Sequence, residues 1–176
     1  MQSGLACGPN NLLSINATTL SIDATIPVPS ADVTGAISLN QLSNMIYIAF
    51  PQNLLTIVNA NNNQIIQTLP ITAYTMTFGG ISVNPHVNWN FLGPGIPSGE
   101  IFLSGSAYCD NQFSGCNGTS LYIFSTDNYG LFGTYVSPVG LGNLEFDAAN
   151  NETYALTASS LLALKIPSFN VTILLP

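Results

Sequence analysis

Three segments of the chain open on one pattern, and that pattern constrains the fold more than any other feature. Residues 35–40 (GAISLN), 79–84 (GGISVN) and 142–147 (GNLEFD) each begin with glycine, alternate apolar residues, and end on Asn or Asp. Alternation with a period of two predicts a strand, and the closing Asn or Asp suits the turn that follows. A second apolar run follows each opening: residues 45–50 (MIYIAF), 100–105 (EIFLSG) and 153–158 (TYALTA). A third comes after a short polar turn, at 54–59, 121–126 and 161–166, and a fourth ends near a proline, at 65–71, 131–138 and 170–176. Four strands in one order, repeated three times, predict three four-stranded antiparallel units at residues 35–72, 79–138 and 142–176.

Residues 1–28 supply part of another unit. LLSINA (12–17) reads as a third strand and LSIDATIPV (20–28) as a fourth, while GLAC (4–7) reads as the end of a second strand. The Gly35-to-Gly79 separation falls within the roughly 40–50 residues of a four-stranded propeller blade. The middle unit is longer, and its excess sits in two turns, 85–99 and 109–118. The fold class expected is therefore all-β, a β-propeller or propeller segment of about three and a half blades in a single repeat domain. Equivalent positions are expected at Tyr47 and Tyr154 in second strands, and at Leu55, Tyr122 and Leu162 in third strands.

Segment 45–72, MIYIAFPQNLLTIVNANNNQIIQTLPIT, resembles the YVTN-type propeller repeat of bacterial and archaeal surface proteins. The shared features are a Tyr-centred strand, a short turn, a strand ending in Val and a polar residue, a polar turn, and a strand ending in Leu-Pro-Ile. The resemblance extends over nearly the whole chain, but Tyr47-Ile-Ala-Phe stands where the family has Tyr-Val-Thr-Asn. It implies extracellular display and binding, and it brings no catalytic residues.

Charge excludes whole classes of function. Charged residues are 5% of the chain, with Lys165 the single Lys or Arg and a net charge of -7, against roughly 25% charged in an average soluble domain. Nucleic-acid binding needs Lys and Arg to neutralise phosphates, and anionic membrane surfaces need the same residues. Apolar residues make up 47% of the chain, but no run approaches the roughly 20 that a spanning helix requires. With so few groups to pair, the fold is expected to tolerate strong acid.

Sequons at Asn16, Asn117, Asn151 and Asn170 fall in or beside predicted turns, and Cys109 and Cys116 bracket a short loop as a local disulfide would. Together with the scarcity of basic residues they point to an extracellular or cell-surface glycoprotein. No basic and apolar leader opens the sequence. Cys7 has no evident partner.

Candidate chemistry is sparse. His86 lies in the insertion NPHVNWNFLGPGIPSG with no nucleophile motif beside it, and reads as a loop histidine. Trp89 and Phe91 of the same loop could present a stacking surface for a binding partner, or fold back on their own blade. Asp110 to Gly115 alternates oxygen side chains as a calcium loop does, but Leu121 stands where the bidentate Glu belongs. Asp127 with Asn128, and Asp147 with Asn150 and Asn151, read as turn residues. No catalytic residue, metal or cofactor is expected. The reading is a non-enzymatic surface or structural module that presents loops for adhesion or assembly and self-associates or joins a larger surface assembly. Its rivals are a filament subunit assembled by strand addition and a secreted propeller-fold hydrolase or lyase. The raw material for the last is thin.

Overall fold

The structure is a computed structural model, and it describes residues 11–28, 36–50, 54–71, 76–85, 99–107, 119–137, 140–147, 150, 152–157, 159–165 and 170–175. Those residues form fourteen strands and no helix, so no helix among them is long and apolar enough to cross a membrane. A two-stranded sheet holds β1 (Asn11–Ile15) and β2 (Ile22–Pro27). Three four-stranded antiparallel sheets follow. Blade 1 is β3 (Ala36–Asn40), β4 (Met45–Phe50), β5 (Leu54–Asn59) and β6 (Gln64–Pro70). Blade 2 is β7 (Met76–Asn84), β8 (Glu100–Ala107), β9 (Thr119–Ser125) and β10 (Leu131–Ser137). Blade 3 is β11 (Leu144–Asp147), β12 (Glu152–Leu156), β13 (Leu161–Lys165) and β14 (Asn170–Leu175).

Each blade is a meander whose strands pair in sequence order, several of them joined by short polar turns. Four of these turns share one construction. Asn16, Asn40, Asn59 and Ser125 each accept, through a side-chain oxygen, the backbone N–H two residues on. Four residues after each of them stands a residue with positive φ: Leu20, Asn44, Asn63 and Tyr129. Asn tolerates that left-handed conformation, whereas Leu and Tyr meet a steric cost. The turn after β11 differs, with Asn150 Nδ2 donating to Asp147 Oδ2 at 2.7 Å.

Blades pack face to face through the alternate residues of their strands. Tyr47, Leu55 and Ile57 of blade 1 meet Ile81, Val83, Ile101 and Leu103 of blade 2. The opposite face of blade 2, with Phe102, Leu121 and Ile123, meets Leu144, Ala155, Leu162 and Leu164 of blade 3. Phe102 stacks on Phe146 across this second joint, at 6.3 Å between ring centroids. On the far side of blade 1, Ile48, Phe50 and Val58 pack against Ile26 and Leu12 of the β1–β2 hairpin. β3, β7 and β11 are the first strands of their blades and lie side by side, β7 between the other two. This is the arrangement of consecutive propeller blades around an axis.

β7 begins at Met76, ahead of the glycine pair, and a bulge between Phe78 and Gly80 re-aims it. A Cβ on Gly80 would come within 2.7 Å of Leu144 N and 2.8 Å of Asn143 Cα. Main chain therefore meets main chain where β7 passes the entry to β11. Ser104 Oγ closes the same seam, donating to the Gly142 carbonyl at 2.7 Å.

Tyr47 and Tyr154 occupy equivalent positions, opposite Ser38 and Glu145 in the matching first strands. The third-strand equivalence needs correction. Ile57, Ile123 and Ala163 stand opposite Tyr47, Phe102 and Tyr154, so Leu55 matches Leu121 and Leu161. Tyr122 and Leu162 match Thr56 instead, a slip of one residue that exchanges the two faces of a strand.

Candidate functional site

The pattern that defines the repeat also places three side chains at the axis. The central residue of each opening motif is Ser38, Ser82 or Glu145, and all three line one cavity of about 420 Å³. Gln41, Pro85 and Phe146 complete its wall. Glu145 is exposed and Ser38 half-buried, whereas Ser82 is 3% exposed and its Oγ has no hydrogen-bond partner. Two hydroxyls, an amide and one carboxylate suit a polar neutral or cationic group. They hold no nucleophile paired with a base, and among the described residues no three His, Cys, Asp or Glu side chains gather as a metal site.

A second cavity, of about 390 Å³, separates the β1–β2 hairpin from blade 1 and is lined by Leu12, Leu13, Ile37, Leu39 and Ile46. Among the described strands β1 pairs only with β2, and no other described strand lies along its second edge. Leu13, Ile15, Ile37 and Leu39 are all exposed beside that edge. Scattered exposed apolar residues are ordinary, but a contiguous group next to an open strand marks an association surface.

Two ionisable groups are strongly perturbed, one at each joint. Burial pushes the Tyr47 phenol up to about 12, helped by Tyr129 and Asp127 and opposed by a hydrogen bond with Ser43. Burial pushes the Glu100 carboxyl up to about 7, with Asn84 acting in the opposite direction. Asn84 is close enough to influence Glu100, yet neither carboxylate oxygen makes a hydrogen bond of good geometry.

The sequence-predicted sites distribute unevenly. Asn16 opens the β1–β2 turn, where its Oδ1 accepts from Thr18 N and Thr19 N at 2.9 and 3.0 Å. Those bonds use the oxygen, and a glycan attaches through Nδ2. Asn170 is the first residue of β14. Asn117, Asn151, Cys7, Cys109, Cys116, His86, Trp89 and Phe91 lie outside the described residues. The axial set and Glu100 were not singled out in the sequence. The first had a signal, the central letter of the repeated motif; the second had a weaker one, a carboxylate at the start of an apolar run.

Neither a protein-family model nor a curated protein sequence matches the chain. Solved structures do match in fold. The WD40 repeats of RRP9 superpose with a TM-score of 0.64 at 10% identity, covering 96% of this chain and 44% of that one. Hydrazine synthase of Kuenenia stuttgartiensis gives 0.66 at 14%, covering 94% and 43%. A β-propeller domain of Myceliophteria thermophila gives 0.58 at 9%, covering 93% and 47%. At these identities the likeness shows the fold, a partial β-propeller. The chain spans less than half the length of the structures it matches.

Proposed function

We propose that the chain is a non-enzymatic, extracellular propeller module of the YVTN type, which associates through its open end and presents its loops for adhesion. The observation that carries this reading is the group of exposed apolar residues Leu13, Ile15, Ile37 and Leu39 at the β1 edge along which no described strand lies. An unpaired strand edge templates pairing, and proteins normally guard it with charge. Here neither β1 nor β3 carries a charged residue. A second copy of the chain supplies the missing cover, closed or as strand addition along a filament. Ser38, Ser82 and Glu145 at the axis favour binding over hydrolysis or lysis, because neither hydroxyl is paired with the one carboxylate as a nucleophile is with its base. The reading carries with it a local disulfide between Cys109 and Cys116 and glycans on the sequons, of which Asn16 lies in a described turn.

Sedimentation of the glycosylated protein at micromolar concentration tests the reading. A dimer or larger species is expected, reduced to monomer by Leu13→Lys with Ile15→Lys. A monomer whose amides at residues 11–15 exchange slowly overturns it.

A further inference from the structure

The joint between blades 2 and 3 buries a carboxyl group that nothing neutralises. Glu100 opens β8, opposite Asn84 of β7 and Ser125 of β9. It lies two residues before Phe102, so it projects from the face of blade 2 that packs on blade 3. That face offers it Ser82 and Asn84 from β7, Phe102 from β8 and Ser125 from β9. Blade 3 turns toward it Leu144 and Phe146 of β11, Thr153 and Ala155 of β12, and Leu162 and Leu164 of β13. None of these groups titrates, and the one described titratable side chain that also packs in this joint, Tyr135 of β10, stands opposite Leu121, four residues along β9 from Ser125. Glu145, Asp147 and Glu152 occupy the alternate positions of blade 3, and Lys165 stands in register opposite Glu152 rather than Thr153.

The group is 1% exposed and both its oxygens lack a partner, as do Ser82 Oγ and Thr153 Oγ1 on the two sides of the same joint. An ionised carboxylate in that setting carries a full desolvation penalty, whereas a neutral acid has an O–H to donate and is far cheaper to bury. The repeat does not require the residue. Met45 fills the equivalent position in blade 1, and Glu152 in blade 3 is less buried and accepts a bond from Tyr154 Oη at 3.2 Å.

We infer that Glu100 is a proton-operated fastening between blades 2 and 3, closed while the side chain is a neutral acid and loosened when it ionises. Burial, which holds the group up to about 7, supplies the window. A group bound to its proton more tightly when folded gives its full stabilisation below its unfolded value near 4.5. That stabilisation is lost as pH rises through about 7. The module therefore fastens on acidification and loosens across neutrality, opposite to a salt-bridged carboxylate.

Thermal melts and amide exchange on the full chain between about pH 5 and about pH 8.5 test this, with Glu100→Gln and with Glu100→Met, the residue blade 1 already carries. The wild-type protein is expected to lose about 100-fold in folding equilibrium over that range, with faster exchange in β8, β11 and β12. Both variants should be flat and more stable than wild type at the alkaline end. Parallel profiles for all three proteins overturn the inference. So does recovery of the wild type at about pH 8.5 by millimolar calcium or by sodium chloride, which would make Glu100 a cation ligand. Should neither variant fold, an NMR titration of the Glu100 carboxyl carbon in wild type decides. A midpoint near neutrality that coincides with the exchange change supports the fastening, and one in the ordinary carboxylate range overturns it.

Discussion

The two blade joints are built from equivalent positions and hold together differently. Between blades 1 and 2 aliphatic side chains, with Phe124, Tyr122 and Tyr129, surround Tyr47, whose hydroxyl finds Ser43. Between blades 2 and 3 an aromatic stack carries the middle, a hydroxyl and a close backbone approach pin the inner seam, and three buried side chains keep unpartnered oxygens. The same repeat thus yields one joint whose buried polar atom is accommodated and one that is tightly packed but electrostatically unfinished. The lesson is that a repeat dictates where a joint lies, while a few letters decide the conditions under which it holds.

The largest effect that separates the joints is expected from Phe102→Ala. It removes the stack with Phe146 and leaves a cavity facing blade 3, a class of change that costs about 3–5 kcal/mol. Denaturant melts should show that loss, and exchange should rise first in β11 and β12 while β4 and β5 stay protected. Uniform exposure of all three blades would mean the joints are not separable.

Alkaline pH attacks the other joint. Tyr47 ionises at about 12 when folded and at 10.0 when free, so the stability that rests on its proton is intact below pH 10. It is lost as pH climbs through 12, about 3 kcal/mol in all. Tyr47→Phe should remove that slope while leaving any slope near neutrality untouched. A wild-type protein whose stability is level from pH 10 to 12 would show the phenol to be free.

Ser104→Ala is smaller and local. It strips the Gly142 carbonyl of its 2.7 Å donor, at a cost of about 1–2 kcal/mol, whereas blade 1 already has Ala49 at the equivalent place. The loss should appear as faster exchange near residues 142–144, and an unchanged melt would argue that water replaces the hydroxyl.

The smallest effect is a gain. Leu20 holds a φ of 58° at the tip of the β1–β2 turn and is exposed. Leu20→Gly relieves that strain at a small entropic cost and should raise stability by somewhat under 1 kcal/mol. Far from both joints, it should shift every pH profile equally, and a change in the slope of either would link the hairpin to that joint.

Strand order and turns were legible because glycine, alternation and Asn punctuate the chain at regular intervals. The third-strand register was not. LYIFST and LLALKI carry apolar residues on neighbouring positions, as strands buried on both faces do, so alternation cannot choose which residue faces which blade. Tyr122 and Leu162 therefore lie one residue away from the counterpart of Leu55. Glu100 was hidden for a related reason. Its burial comes from blade 3, more than forty residues on in the chain, and nothing local marks a carboxylate at a strand start as enclosed. The axial set was half legible: the motif contains Ser38, Ser82 and Glu145 at one position, but only the side-by-side packing of β3, β7 and β11 brings them to one cavity.

The approach of Gly80 to the backbone at residues 142–144 bears on how such a molecule can evolve. Tandem repeats grow by copying a unit, and copies are commonly pictured as interchangeable. Blade 1 carries Ala36 where blade 2 carries Gly80. A duplicate of blade 1 inserted ahead of blade 3 would press a methyl group into main-chain atoms that have nowhere to retreat. Lineages that duplicate or reshuffle these units must therefore carry the glycine along with its neighbour, so the heritable module is a pair of blades joined at a seam rather than a single blade.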